Sequence, residues 1–471
     1  MSAAPGYPRG LRRAIAAACL ALAAGGWVGT GSAWAQSASA PSLASMTRPS
    51  SERVAGGIVT YVTRDGDTLY EISRQYLQGA DDWRLVAKMN GVPAPKRLQR
   101  GIEIRLPAAR LRKEPLTARV IASHGTVERA GRDAAFVALT PNATLGEGDR
   151  LRTGTDGFVT LELADGTHLS LPPGSQIDVA ALRRTVLTGT LERVIDLRRG
   201  SVDSDVSHMK KPDDRFQIRS PSVVAGVRGT RFRVNYDADG QALTRVEVLD
   251  GTVGVAPGRS RADATLVQAN FGSVTGADGQ VGAPVPLLAP PSLVKPGRVQ
   301  DEAQVSFELV PQEGARSWHV ELASDAGFLD LIRETRVDTP RASFDALPDD
   351  SYFVRIAAID ANGLEGQPRT YGFERRRFGL RSEAGPAAGG YAFRWMPSGA
   401  QGEAATHYRF VLSAARDLSN PIVDQPGLTD TRLVLSHLPP GEYYWRVIAE
   451  QFSNGRFYDK AGALNSFTLA R

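Results

Sequence analysis

Residues 58–107 restrict the fold more than any other part of the chain, because they combine strand and helix signals within a short span. Ile58–Thr63 is rich in β-branched residues, which predicts a strand. Gly66-Asp67-Thr68 then predicts a turn into a helix. Thr68 and Glu71 have the spacing of a capping box, in which each side chain binds a backbone amide at the start of the helix.

Two helices and a closing strand follow from the same stretch. Leu69, Ile72, Ser73 and Tyr76 share one face of the first helix. The second helix is predicted to begin near Asp81 or Asp82 and to bury Trp83, Val86 and Ala87. Asn90-Gly91 should end it, because glycine suits the left-handed position there. Leu98–Leu106 is predicted as a strand stopped by Pro107, which completes a small βααβ unit.

This order of elements, with Gly66-Asp67-Thr68-Leu69, Asn90 and Gly101–Pro107, resembles a LysM domain over residues 61–107. In that family, the loop entering the first helix and the loop leaving the second form a shallow groove for glycans containing N-acetylglucosamine. The resemblance therefore implies glycan binding through two loops. Their residues are Gly66, Asp67, Thr68, Leu69, Tyr70, Asn90, Gly91, Val92 and Pro93.

The same residues also have a purely structural interpretation. Thr68 can serve as a cap, Leu69 can pack in the core, and Asn90 and Gly91 can form the turn. For each residue alone, the structural role is the simpler hypothesis. For the unit as a whole, glycan binding is the favoured hypothesis.

The N-terminus is typical of a secretory signal. Arg9, Arg12 and Arg13 precede a small apolar run, and Ala33-Trp34-Ala35 forms a cleavage site, which predicts a signal peptide at 1–35. Residues 36–57 are rich in serine, alanine and proline and predict a flexible linker. Cys19, the one cysteine, lies inside the signal, so the mature chain would hold no thiol or disulfide. We expect a periplasmic protein, although secretion beyond the periplasm remains open.

Charge excludes one class of partner. The formal net charge is +5, and the three signal arginines reduce this to about +2 for the mature chain. Basic residues are interleaved with acidic ones, so we expect no nucleic-acid partner. No later segment has the run of about 18 apolar residues that a membrane helix needs, so no retained membrane span is expected.

Residues 117–285 predict an all-β domain. Phe158–Leu163 alternates with period two, Asp165-Gly166 predicts a hairpin turn, and Thr167–Leu171 returns. A Gly-Ser/Thr-Val element recurs at Gly125, Gly200 and Gly251, each time at the predicted opening of a strand.

Several phrases in this region resemble the periplasmic domain of the FecR family. They are Gly148–Gly154, Leu163–Thr167, Leu197–Val202, Ser220–Phe232 and Val248–Val253. FecR proteins are membrane-spanning regulators that relay a receptor signal to a cytoplasmic sigma factor. Here only the sensing or docking module is predicted, because the chain has no retained span. The resemblance implies an envelope protein partner for 117–285, with Arg228 as a docking residue; a hairpin-stabilising arginine is the simpler alternative.

The C-terminal part contains a repeat of about ninety residues. Leu347–Ala358 aligns with Leu438–Ala449 at a constant offset of 91, and both copies hold a Leu-Pro-x-x-x-Tyr sequence. Short alternating strands and a tyrosine corner are typical of β-sandwiches, and these repeats resemble fibronectin type III-like domains. We predict a Pro-rich linker at 286–297 and sandwiches at 298–378 and 379–471. The predicted fold is thus multidomain: a small βααβ LysM domain at 58–107, an all-β FecR-like domain and two β-sandwich domains.

Few motifs for chemistry can be recognised in this sequence. No two of the six histidines have the spacing of a helical zinc pair, and there is no Gly-x-Ser-x-Gly. Asp213-Asp214 and Asp349-Asp350 are interpreted as turn residues. We therefore predict no catalytic residue, no metal and no cofactor.

Three functional hypotheses remain. The first is a non-catalytic envelope protein that binds peptidoglycan through residues 58–107 and presents its β domains to another protein. The second is a periplasmic signalling or sensing component related to FecR regulators, with the βααβ unit as a tether. The third and least favoured is an unrecognised wall hydrolase.

Overall fold

The structure is a computed structural model and describes residues 57–92, 97–238, 240–258, 264–297, 299–377, 379–398, 406–453 and 456–470. The predicted signal peptide (1–35) and nearly all of the predicted linker (36–57) lie outside these residues. The described residues belong to one compact unit and are mostly in strands. None of the helices they contain is both long and apolar enough to cross a membrane.

The first element group is a βααβ unit. It contains β1 (Ile58–Val62), α1 (Leu69–Tyr76), α2 (Trp83–Asn90) and β2 (Glu103–Pro107), with single 3-10 turns at Ala80–Asp82 and Ala108–Arg110. β1 and β2 pair antiparallel, with Ile58 opposite Pro107 and Val62 opposite Glu103. The face predicted for α1 is confirmed as its buried side. In α2, Val86 is fully buried, while Trp83 and Ala87 are partly buried against the core.

The last strand of this unit is shorter than predicted. It begins at Glu103 rather than Leu98, because Arg100 and Gly101 form a turn in which Gly101 has a φ of +85°. The Gly101 N–H donates to Thr63 O at 2.9 Å. A left-handed glycine breaks the extended backbone, so the apolar pattern alone placed the start of the strand too early.

Eighteen strands follow among the described residues, and their hydrogen-bonded path closes on itself as a barrel. They are β3 (Lys113–Pro115), β4 (Ala118–His124), β5 (Val127–Ala130), β6 (Val137–Ala138), β7 (Thr144–Leu145), β8 (Arg150–Thr153), β9 (Phe158–Leu163), β10 (His168–Leu171), β11 (Gln176–Thr185), β12 (Leu191–Asp205), β13 (Arg215–Arg219), β14 (Val223–Val227), β15 (Arg231–Tyr236), β16 (Thr244–Asp250), β17 (Thr252–Pro257), β18 (Thr265–Gln268), β19 (Phe271–Thr275) and β20 (Val285–Pro286). One apolar core fills the interior, from Ala118 to Val267. The hairpin between β11 and β12 packs Val186 and Leu187 on the βααβ unit.

Gly200 lies in the middle of a strand rather than at its opening. Residues Leu191–Arg199 of β12 pair with β11, whereas Gly200–Asp205 pair with β15. Gly200 has a φ of +78°, and a Cβ there would lie 2.6 Å from the Ser175 Cα. Only glycine combines this backbone conformation with this close approach. Gly200 therefore allows β12 to pair with β11 along its first part and with β15 along its second part. The other two glycines of the recurring element, Gly125 and Gly251, do precede strands.

The remaining strands form two pairs of facing sheets. In the first repeat they are β21 (Val305–Glu308), β22 (Ser317–Ala323), β23 (Leu331–Val337), β24 (Arg341–Phe344), β25 (Asp350–Ile359) and β26 (Arg369–Arg375). In the second they are β27 (Gly379–Ala387), β28 (Gly390–Ser398), β29 (Thr406–Ser413), β30 (Val423–Leu428), β31 (Arg432–Leu435), β32 (Gly441–Ser453), β33 (Arg456–Ala461) and β34 (Asn465–Leu469). The first repeat orders its larger sheet β23-β22-β25-β26, and β21 pairs with β24.

The two tyrosine corners are confirmed. Tyr352 Oη donates to Pro348 O at 3.2 Å, and Tyr443 Oη donates to Pro439 O at 2.7 Å. Both bonds reach back four residues, as the Leu-Pro-x-x-x-Tyr spacing predicts. The preceding Pro-rich segment, 286–297, packs on the first repeat: Leu293 is buried in its core and bridges to Leu309.

Candidate functional site

Asp67 holds the loop between β1 and α1 in place. Its Oδ2 accepts hydrogen bonds from Tyr61 Oη at 2.8 Å and from the Arg64 N–H at 2.7 Å. Burial, together with the hydrogen bond and charge of Asp67, raises the pKa of Tyr61 to about 12. Gly66 supplies the turn with a φ of +88°. The Asp67 carboxylate therefore serves the loop itself and is only partly exposed.

Thr68, Leu69 and Tyr70 have three different environments. Thr68 Oγ1 accepts from the Glu71 N–H at 3.1 Å and donates to Glu71 Oε2 at 3.0 Å. The Glu71 carboxylate thus binds the hydroxyl rather than the Thr68 amide, so only half of the predicted capping box forms. Leu69 is fully buried, whereas Tyr70 is 45% exposed. Tyr70 is the residue of this loop that offers a large side chain to solvent.

Asn90 joins α2 to β2. Its Nδ2 donates to Val86 O at 2.8 Å and Arg105 O at 2.9 Å, and its Oδ1 accepts from the Arg105 N–H at 2.7 Å. Gly91 caps the helix in the left-handed conformation, with a φ of +66°. Val92 is partly buried against the core. Pro93 lies outside the described residues.

The predicted loops bind different parts of the chain. Asp67 O accepts from the Leu98 N–H at 2.8 Å, and Thr68 bridges to Arg97, whereas Asn90 is bound to Arg105. The first loop is therefore bordered by residues 97 and 98, which the sequence interpretation left out of the site. The sequence patterns used there relate residues only a few positions apart, whereas this pairing joins residues about thirty positions apart.

Arg228 binds a neighbouring loop. Its Nη1 donates to Pro212 O at 2.8 Å and its Nη2 to Lys211 O at 3.1 Å. The side chain stays partly exposed, and the adjacent Gly229 has a φ of +119° against His208. The geometry assigns Arg228 the stabilising role, while its role in docking stays a prediction.

Sequence reasoning missed a charged layer between the barrel and the first repeat. The first repeat contributes Glu321 of β22, Arg355 of β25 and Glu365 from the segment after β25. The barrel contributes Asp203 of β12, Arg233 of β15 and Glu247 of β16. Arg233 Nη1 lies 3.1 Å from Glu365 Oε1, and Arg355 contacts both Glu321 oxygens at 2.5 and 2.6 Å. Asp203 lies 3.7 Å from both Arg233 and Arg355, so it joins the two pairs.

Burial makes these charges strongly interdependent. Burial raises the pKa of Glu247 to about 7, and the charges of Glu365 and Asp203 add to this effect against Arg233. For Glu365, burial acts in the same direction, but Arg233 and His319 outweigh it and hold the pKa well below its usual range. The Glu365 N–H also donates to Glu247 Oε1 at 3.3 Å.

Apolar contacts border the charged layer. Phe158 of the barrel packs in one cluster with Ala323, Phe328 and Leu331 of the first repeat. A cleft of about 240 Å³ lies beside it, lined from both sides by residues including Arg231 and Arg355. The alternation of His319, Glu321 and Ala323 along β22 is typical of a solvent-facing strand, so no local signal indicated that this face is covered.

Part of the chain matches a known protein family. Residues 149–254 match the sequence model of a family described as FecR protein. The chain therefore contains a FecR-family domain, formed by barrel strands from β8 to β17. No curated protein matches the chain.

Solved structures are similar over parts of the chain. A proposed anti-sigma factor from Parabacteroides distasonis is 18% identical, with 29% of this chain and 59% of that chain covered and a TM-score of 0.24. The chain thus spans less than two thirds of that relative's length. A two-domain fibronectin type III segment of chicken tenascin is 14% identical, covering 38% and 97%, with a TM-score of 0.24. The FN1–FN3 domains of chicken CNTN1 are 13% identical, covering 53% and 95%, with a TM-score of 0.19.

Proposed function

We propose that this chain is a non-catalytic signalling or sensing component of the bacterial cell envelope. Its FecR-family domain would contact an envelope partner protein, and its βααβ unit would tether it to a glycan containing N-acetylglucosamine. The FecR-family match at residues 149–254 is the observation that carries the proposal. A regulatory role without bond-breaking chemistry agrees with that match.

The partner surface must avoid the face that the first repeat already covers. Lys210 is exposed and belongs to the segment that Arg228 holds through Lys211 and Pro212. We infer that this segment forms the docking surface, because Lys210, Lys211 and Pro212 are exposed and lie beside Arg228 of the FecR-family domain. The Arg228 contacts would then fix the shape that a partner recognises.

A photo-reactive residue at Lys210, introduced into the full chain in cells, is expected to cross-link to a membrane regulator or transport receptor. Mass spectrometry of the adduct identifies the partner, and Arg228→Ala should reduce its yield. The same photo-reactive residue at Ile422, which is 52% exposed in the second repeat, is the control. Capture of structural wall proteins alone would support an adaptor instead, and no adduct specific to Lys210 would contradict the proposed surface.

The tether predicts a defined binding loss in the βααβ unit. Replacing Tyr70 by alanine should lower the affinity of the mature chain for insoluble peptidoglycan by roughly two- to tenfold, the effect of losing one aromatic ring contact. Co-sedimentation with the insoluble peptidoglycan measures this affinity. Leu85→Ala is the matched control, because Leu85 is 39% exposed on α2 of the same unit. If the wild-type chain stays entirely in the supernatant, the tether is wrong while the signalling role still stands.

A further inference from the structure

Three potential metal ligands share one face of the first repeat. His319 and Glu321 are two residues apart on β22, so both point away from the core that contains Trp318 and Val320. Glu334 on β23 lies directly opposite Glu321 in the strand register. One nitrogen or oxygen from each of the three side chains lies within 4.8 Å of the others.

One imidazole nitrogen is held by an outer carboxylate. His319 Nδ1 lies 3.0 Å from Glu365 Oε2, and Glu365 is in turn paired with Arg233 of the barrel at 3.1 Å. A histidine that binds a metal commonly donates its other N–H to such a carboxylate, which fixes the tautomer and the ring orientation. This arrangement leaves His319 Nε2 facing Glu334.

The distance between Nε2 and Glu334 matches the spacing of two ligands on one ion, and it is also within hydrogen-bonding range. The atoms are 3.3 Å apart, whereas charge-assisted N–H···O bonds are about 2.7–2.9 Å long. Two ligands at 2.0–2.1 Å from a tetrahedral zinc ion lie about 3.3 Å apart. Among the described residues, no arginine or lysine lies within ion-pair distance of Glu334, and His319 is its one basic neighbour at that distance.

The arrangement of charges also favours a bound cation. Glu321 and Glu334 are directly opposite on one sheet face, an arrangement of like charges that opposes strand pairing. Arg355 neutralises Glu321 and Arg233 neutralises Glu365. Among the residues that the structure describes, Glu334 has no guanidinium partner of this kind, so a cation beside His319 Nε2 would complete the pairing.

We propose that His319 Nε2, Glu334 and Glu321 bind one divalent ion of the zinc class. Nitrogen and carboxylate oxygen are ligands that zinc accepts, and three protein ligands leave a fourth position for water. Glu334 is 20% exposed and Arg336 beside it is 55% exposed, so the ion can enter from the rim of the interface. The bound ion would join β22 to β23 and, through Glu365, strengthen the contact with the barrel.

Zinc titration of the full mature chain, after chelator treatment and dialysis, tests the site. We expect one equivalent to bind the wild-type chain and to raise its thermal midpoint, because an ion that binds only the folded state stabilises it. His319→Gln and Glu334→Gln should each weaken binding by more than about tenfold, since even outer-shell losses reach that size. Cobalt should give tetrahedral d–d absorption in the wild-type chain and not in the variants.

His407→Gln is the matched control, because His407 is exposed on β29 of the second repeat. It should bind zinc as the wild-type chain does. Glu334 lies at the rim, so Glu334→Gln keeps the test valid even if His319→Gln fails to fold. Failure of the wild-type chain to bind stoichiometric zinc, or equal binding by Glu334→Gln, would overturn the site and leave a doubly protonated His319 as the cation.

Discussion

Replacing Asp165 by asparagine is expected to lower the free energy of unfolding of the FecR-family domain by up to about 3–5 kcal/mol, the cost of removing one partner of a buried ion pair; Asp214 still stabilises the charge of Arg193. Arg193 is 1% exposed, and its Nη1 is paired with the Asp165 carboxylate. Burial lowers the pKa of Arg193, and the charge of Asp165 opposes that shift. The urea midpoint of the full chain measures the effect.

Two further variants serve as a control and as a rescue for Asp165→Asn. Glu128→Gln breaks the exposed pair with Arg152, whose atoms are 2.6 Å apart, and should cost at most about 1 kcal/mol. Combining Asp165→Asn with Arg193→Met should recover much of the loss, because an apolar side chain needs no counter-charge. Equal losses of unfolding free energy in Asp165→Asn and Glu128→Gln would mean that the buried pair stabilises the fold no more than the exposed pair does.

Replacing Glu247 by glutamine should remove a pH-dependent loss of stability. The pKa of Glu247 is raised from 4.5 to about 7 in the folded chain, chiefly by burial. Between these pH values the folded state keeps a proton that the unfolded state releases, so stability falls as pH rises through that window. The difference in unfolding free energy between the wild-type chain and Glu247→Gln should therefore change by about 3 kcal/mol across it.

Urea unfolding at pH 4.5, 6 and 8 with a chelator present measures this difference, because the chelator keeps His319 and its carboxylates free of metal. The wild-type chain should lose stability relative to Glu247→Gln as pH rises. Glu308→Gln, at an exposed position on β21, should follow the wild-type profile. Parallel profiles for the wild-type chain and Glu247→Gln would show that Glu247 ionises at its ordinary pH inside the interface.

The charged layer and the proposed metal site share one residue, Glu365, which joins the barrel to the first repeat. Arg233 connects the FecR-family domain to Glu365, and Glu365 orients His319 in the first repeat. Two contacts thus link β15 of the barrel to the ligands proposed on β22 and β23.

Sequence reasoning succeeded where the relevant partners lie within a few residues. The Thr68 cap, the Gly91 helix end and the two tyrosine corners each depend on residues three to five positions apart. Period-two alternation likewise predicted a largely β chain after residue 116. Those signals are local, so one chain segment is enough to read them.

The same reasoning failed where a residue has a second, distant partner. Asp165 was interpreted as a turn residue, and it does bind Thr167 locally, but it also neutralises Arg193 across 28 positions. Gly200 was predicted to open a strand, but it lies within β12, at the point where the pairing of β12 changes from β11 to β15. The helical spacing of histidines gave no signal for His319, Glu321 and Glu334, which lie together across two strands.

By itself, the sequence determined the order of the elements, the position of the βααβ unit and the residues that define the FecR-family domain. Only the tertiary structure decided which polar faces are covered, because Arg233 and Glu365 are 132 positions apart and neither has a local pattern that names the other. Alternating polar residues look the same whether water or another sheet covers them. The energy of a buried charge depends on that difference, which exists only after the modules have packed.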